Sequence, residues 1–181
     1  MAAQTPYYTF LFVGHSQQGV KAAARILAKA ALSSGFKAQA YCPKVRGPGD
    51  GHSAVARIGK GEIQEKGALE YADFTIFFDP SLLKERAKTL KEKSVAIINS
   101  EEKVASPELK KRKVKAVSLD AYAIGASTVG KHWPATALLG ALVKAFPRIP
   151  LKAVKSAIQS DFYYSQEQNI AAADEGFRAA K

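Results

Sequence analysis

The chain has 181 residues, 47% hydrophobic and 24% charged, a balance typical of folded globular proteins and not of disordered ones. Its length suits one domain, residues 1–181, with enough chain to bury a substantial core. The formal net charge of +11 directs attention to acidic partners, and a single cysteine excludes internal disulfides, iron–sulfur ligation and zinc fingers held by this chain alone.

No apolar run approaches the roughly 20 residues needed to cross a bilayer, and Met1–Phe10 has neither the basic nor the apolar region of a secretory signal. A cytoplasmic protein with no membrane partner is the expectation. Nucleic acid is not the expected acidic partner either. The nine phenylalanines fall mostly inside apolar runs and are not interleaved with basic residues as a stacking platform. One basic cluster, Lys110, Lys111, Arg112, Lys113 and Lys115, follows Ser106-Pro107-Glu108 and reads as a solvated turn.

In chain order, Tyr7–Val13 reads as a strand that breaks at Gly14. A polar turn follows, and a helix is predicted from about Gln18 to Ser34, stopped by Gly35. Ala22, Ala23, Ile26, Leu27 and Ala30 recur at helical spacing, with Lys21, Arg25 and Lys29 on the opposite face. Phe36–Cys42 predicts a second strand, on which Ala38, Ala40 and Cys42 alternate, so that Cys42 is expected to be a half-buried structural thiol. The loop Pro43–His52 is rich in glycine and proline, and basic at Lys44 and Arg46. Ser53–Ile58 then alternates as a strand. With no helix between them, it and the preceding strand are placed to pair antiparallel.

Phe74–Phe78 predicts a further strand, after which Asp79 is an apt cap for a helix running to about Lys91. Ser94–Asn99 and Val114–Leu119 read as buried parallel strands. Helices are predicted over Pro134–Phe146, Leu151–Gln159 and Ser165–Ala180. The fold class is therefore a three-layer α/β/α domain with a mostly parallel sheet, mixed at the second and third strands, and a helical C-terminal third.

The candidate chemistry starts at the first turn, Gly14-His15-Ser16-Gln17-Gln18-Gly19. Such a turn points backbone amides out at a helix N-terminus, where an anion or a partner chain can dock. It is not a P-loop, because Val20-Lys21 follows the second glycine and no hydroxyl waits for magnesium. Nor is it a dinucleotide turn, since Ser16 stands where the middle glycine belongs. Gly49-Asp50-Gly51 matches the opening of a thiamine diphosphate motif, but the closing asparagines are missing from the stretch Thr75–Pro80. His15, His52 and His132 fall in three separate loops without metal-ligand spacing, and no Gly-x-Ser-x-Gly elbow is present. Trp133, between His132 and Pro134, reads as the seal of a core edge or a subunit contact. No complete catalytic or metal site emerges from this chain alone.

Taken in order, six features resemble the gamma subunit of 2-oxoacid:ferredoxin (acceptor) oxidoreductases, the pyruvate/ketoisovalerate group. The glycine–glutamine turn and alanine-rich helix of that family match Gly14–Val20 and the helix after it. Its aromatic strand and Arg-Gly loop match Gln39–Pro43 and Arg46-Gly47, leading into Ser53–Ile58. Ala72-Asp73, the strand, and Asp79-Pro80-Ser81-Leu82-Leu83 follow, then a strand ending in Asn99, then Thr136-Ala137-Leu138-Leu139-Gly140-Ala141. The chain departs from the family pattern at Ser16 and Gln17, where glycines are usual, and at Ala135, where asparagine is usual.

The resemblance implies a subunit of an enzyme that oxidatively decarboxylates a 2-oxoacid, usually to an acyl-CoA, and passes electrons to ferredoxin. Thiamine diphosphate, Mg and the iron–sulfur clusters would sit on alpha, beta and delta-type partner subunits, with no cofactor on this chain alone and CoA at most at the interface. The expected contacts to a partner or to CoA phosphate are Gly14, His15, Ser16, Gln17, Gln18, Gly19, Lys44, Arg46 and Thr136. Catalytic and metal residues are expected to be none. Phe162, Tyr163, Tyr164 and Phe177 supply aromatics suited to an interface, and the isolated chain is expected to self-associate. The competing expectation is a free-standing nucleotide- or phosphate-binding regulatory α/β module.

Overall fold

The computed structural model describes residues 7–43, 52–63, 69 and 71–181. Within them, six strands form one sheet in the order β2-β3-β1-β4-β5-β6. These are β1 (Tyr7–Gly14), β2 (Lys37–Tyr41), β3 (His52–Gly59), β4 (Ala72–Phe77), β5 (Leu90–Asn99) and β6 (Lys115–Leu119). β3 runs antiparallel to both β1 and β2, while β1, β4, β5 and β6 pair parallel in sequence along the sheet. The mixed, mostly parallel sheet expected from the helix-free connection between β2 and β3 is thus observed.

The two faces of the sheet are covered unequally. On one face lie α1 (Val20–Ser33), α5 (Ala135–Ala145), α6 (Leu151–Asp161) and α7 (Gln166–Ala179). They bury Phe10, Phe12, Ala56, Ile58, Ile76 and Ile97 from the strands. Phe10 and Phe74 stack 5.0 Å apart, and Phe146, just past α5, meets both edge-on at 5.2 and 5.3 Å. Such pairs add about 0.5–1.5 kcal/mol each beyond their buried area. Among the described residues the other face carries the short helices α2 (Leu83–Arg86) and α3 (Pro107–Lys111), whose Leu83 and Leu109 pack with Leu11, Phe77, Ala96 and Ile98. The basic cluster expected as a solvated turn is in part α3, capped by Ser106, with Leu109 anchoring it to the core.

Two expected elements change. The helix after Asp79 does not run to Lys91; α2 is one turn flanked by 3₁₀ turns at Pro80–Leu82 and Ala87–Thr89. Leu90 is fully buried and pairs with Ala72, so the chain is already strand four residues before Ser94. Conversely, α4 (Ala121–Val129) lies where no element was expected. Asp120 caps it by accepting from the Ala123 amide at 2.8 Å, and Gly130 ends it at φ 74°. Cys42 is exposed, not half-buried, because it lies one residue past the end of the edge strand β2, where Ala40 is already exposed. Among the described residues, no helix is long and apolar enough to cross a membrane.

The helical layer is held by close contact. A Cβ added at Gly140 would lie 2.0 Å from the Ala173 carbonyl oxygen, and one at Gly176 would lie 2.0 Å from that of Ala137. At this crossing α5 and α7 touch backbone to backbone, which only glycine allows.

Candidate functional site

The parallel strands end on one rim, and the expected turn stands there between β1 and α1. This is the switch point of the sheet: the chain leaves β1 toward β2 on one side, while β4 and β5 lie on the other. Ligands of open α/β sheets collect at such a crevice. Asn99, 3% exposed, frames the rim by donating to the Phe78 carbonyl at 3.0 Å and accepting from the Ala121 amide at 2.9 Å. It thereby ties the ends of β4 and β5 to the start of α4.

The turn is organised by Gln18. Its Oε1 accepts from the His15 amide at 2.5 Å, and its Nε2 donates to the Tyr122 hydroxyl on α4. Burial pushes the Tyr122 phenol above its usual range; the hydrogen bond from Gln18 opposes this, and the nearby negative charge of Asp79 adds to it. Asp79, capping the turn after β4, reaches His15 Nε2 at 3.5 Å. Gly14 is packed tightly, since a Cβ there would meet Gln18, Val20 and Phe78 within 2.8 Å. Gly19 precedes α1 at φ 87°, and a Cβ on it would strike Trp133 at 2.7 Å. Gln17 holds φ 67° without being glycine. A left-handed backbone at a non-glycine residue costs about 1–2 kcal/mol.

Ser16 and Gln17 form a ridge between two cavities. One, of about 360 Å³, is lined by His15, Gly19, Lys21, Arg25, His52 and Trp133, among others. The other, of about 370 Å³, is lined by Gln18, Tyr122 and His132 together with the ridge. The fold thus brings all three histidines around one turn. His52 arrives because the antiparallel register sets it opposite Gly14. Among the described residues, no group of three or more histidine, cysteine, aspartate or glutamate side chains could hold a metal.

The cavity lined by Lys21 and Arg25 is positive. Gly19 gives α1 no side-chain cap and its first turn has no acidic residue, so among the described residues no anion caps the helix N-terminus beside Lys21. Arg25 is engaged elsewhere in a fork-to-fork pair with Asp161, at 2.8 and 2.7 Å, and Lys29 joins it at 2.7 Å. The Arg25 hydrogen bonds hold the Asp161 carboxyl below its usual range against the opposing effect of burial, with Lys29 helping. The Trp133 indole N–H is buried and finds no acceptor among the described residues.

Of the expected contact residues, Gly14 to Gly19 are brought together at this rim. Thr136 is not among them and lines neither cavity. It is fully buried and donates to Asn169 Oδ1 at 3.2 Å, tying α5 to α7. Lys44 and Arg46, and Gly49-Asp50-Gly51, lie outside the described residues. Tyr122, Asp79 and Arg25 were not expected at the site. Asp79 was legible as a helix cap and Arg25 as a wet helix face, but only the tertiary fold aims them at the turn.

The family model for pyruvate ferredoxin/flavodoxin oxidoreductase matches residues 9–179. The chain belongs to that family. It is 37% identical over 173 residues to the pyruvate/ketoisovalerate oxidoreductases common subunit gamma of Pyrococcus abyssi, covering 92% of this chain and 93% of that one. The crystal structure of the pyruvate oxidoreductase subunit PorC of Thermotoga maritima superposes with a TM-score of 0.79 at 27% identity, over 97% and 98% of the two chains. The same fold, at 14% identity and TM-score 0.79, occupies 31% of a 2-oxoglutarate:ferredoxin oxidoreductase chain from Magnetococcus marinus. The resemblance drawn from six ordered motifs is thereby confirmed at the level of the family.

Proposed function

We propose that this chain is the gamma-type subunit of a multi-subunit 2-oxoacid:ferredoxin oxidoreductase, an enzyme that oxidatively decarboxylates a 2-oxoacid, usually to its acyl-CoA. The observation that carries the reading is a family match spanning nearly the whole chain, joined to gamma and PorC relatives of almost the same extent. In that role the chain is a scaffold whose β1–α1 turn borders the active site or the CoA channel. Alpha, beta and delta-type subunits would hold thiamine diphosphate, Mg and the iron–sulfur clusters, and electrons would leave to ferredoxin.

The cavity between the turn and Arg25 suits an anionic group, such as a CoA phosphate, on three counts. The first-turn amides of α1 are uncapped, Lys21 and Arg25 line the space, and no acidic residue stands in the first helical turn. CoA supplies the thiol that takes up the acyl group; this chain's residues would only bind and orient its phosphates. Lys44 and Arg46 belong to the same proposed set by their sequence position beside His52. The same cavity would also suit the phosphate of a free-standing nucleotide module, and the family match over residues 9–179 is what supports the subunit reading instead.

Lys21→Ala and Arg46→Ala, each in enzyme reconstituted with the partner subunits, test the contact. Loss of a charged hydrogen bond predicts a KM for CoA raised about tenfold, with assembly intact. An unchanged KM with unchanged assembly in both variants would overturn it.

A further inference from the structure

The corner between α6 and α7 carries two consecutive, nearly bare aromatics: Tyr163 is 93% exposed and Tyr164 86%. Isolated exposed apolar side chains are ordinary on any surface. Two adjacent phenols standing clear of the core are less so, and this pair is held on a braced corner. Gln166 Nε2 donates to the carbonyls of Gln159 at 3.0 Å and Phe162 at 2.7 Å. Asn169, 3% exposed, donates through Nδ2 to the Ser165 carbonyl at 2.8 Å, and Ser165 itself holds φ 56°. Phe162 and Phe177, expected with the tyrosines as interface residues, pack partly buried against the core and anchor the corner from within. A rigid backbone presenting tyrosines loses little entropy on docking, and tyrosine is among the residues that dominate interface energetics.

The surroundings define what docks. Asp161, one residue before Phe162, is clamped by Arg25 and Lys29 of α1. Its side chain is 3% exposed, whereas those of Arg25 and Lys29 are 56% and 41% exposed. Lys21, Arg25 and Lys29 thus form one cationic stripe at four-residue spacing, and among the described residues its ion pairs all go to Asp161. Asp161, two residues before Tyr163, ties the tyrosine corner to this stripe, and Arg25 also lines the positive cavity beside the turn.

We infer that this face, Tyr163 and Tyr164 with the stripe Lys21-Arg25-Lys29, docks an acidic, apolar-pocketed surface of a neighbouring oxidoreductase subunit. The inference rests on the subunit reading above and goes beyond it by naming the surface. A second copy of this chain is the wrong occupant. A two-fold contact uses the same patch on both copies and so brings two cationic stripes into one interface, in a chain already carrying +11. The self-association expected of the isolated chain would use another surface.

The test is co-expression of the chain with its partner subunits, comparing wild type, Tyr163→Ser/Tyr164→Ser and Tyr163→Phe/Tyr164→Phe by native mass spectrometry and titrated assembly. The double serine variant is expected to weaken association between tenfold and a hundredfold, on the order of hot-spot losses. The phenylalanine variant stays within about threefold of wild type, because the buried ring does most of the work. Wild-type assembly should weaken as salt is raised from 50 to about 300 mM, the range in which exposed charges are progressively screened. A serine variant that assembles like wild type overturns the inference and leaves the subunit reading standing. Failure of the wild-type chain to join any partner overturns both. A matching drop in the Tm of the free serine variant, or an effect confined to self-association, overturns the choice of surface or of occupant.

Discussion

Glycine does opposite work in two regions of this molecule. At the α5–α7 crossing, Gly140 and Gly176 let two helix backbones touch, and the space a side chain would need is filled by carbonyl oxygens. At the β1–α1 turn, Gly19 supplies a left-handed backbone and makes room for one aromatic ring, while the neighbouring positions Ser16 and Gln17 stay exposed. The first region tolerates nothing because backbone cannot step aside. The second tolerates change wherever the neighbour is a side chain or solvent. A glycine motif therefore says little until its surroundings are known.

This contrast is sharpest at Gly176→Ala. Because the new methyl would sit 2.0 Å from the Ala137 carbonyl oxygen, α5 and α7 must separate. A destabilisation of about 3 kcal/mol is expected, read as a shifted denaturant midpoint with an unchanged slope. Stability within about 0.5 kcal/mol of wild type would break the comparison from the packing side. Gly19→Ala should cost less, about 2 kcal/mol from its φ of 87° and the encroachment on Trp133. Trp133 is the only tryptophan, so its displacement should also shift the intrinsic fluorescence maximum. An unmoved spectrum would mean that the ring is not held by the turn. The smallest effect belongs to Gln17→Gly. Relief of the left-handed strain at φ 67° and the greater entropy of glycine in the unfolded chain nearly cancel, leaving a change under about 1 kcal/mol in thermal unfolding. A loss of 2 kcal/mol or more would show that the Gln17 side chain, not the backbone, builds the ridge.

Much of the frame was legible before any coordinates. The alternation of Ser53–Ile58, the apolar runs of the parallel strands and the alanine spacing of the first helix each report a period that burial imposes, and each element lies within a few residues of its expected span. The helix α4 was not legible, because Ala121–Val129 mixes glycine, serine and threonine with alanine and shows no clean apolar stripe. Leu90 was misassigned for a related reason: nothing in Leu90-Lys-Glu-Lys tells strand from helix until Ala72 pairs with it. Thr136 illustrates the limit of motif reasoning. Its place in a family pattern marked it as a contact, yet its hydroxyl is spent on Asn169 in the core.

The sequence by itself determined the layered α/β class, the mixed sheet, the family and the position of the first turn, since these follow from local periodicity and from residues at short spacing. Tertiary structure alone decided what surrounds that turn. His52 comes to Gly14 through antiparallel register, Tyr122 reaches Gln18 across 104 positions, and Asp161 reaches Arg25 across 136. Such neighbours are set by how strands and helices pack over the whole sheet, and no local pattern of residues records that geometry.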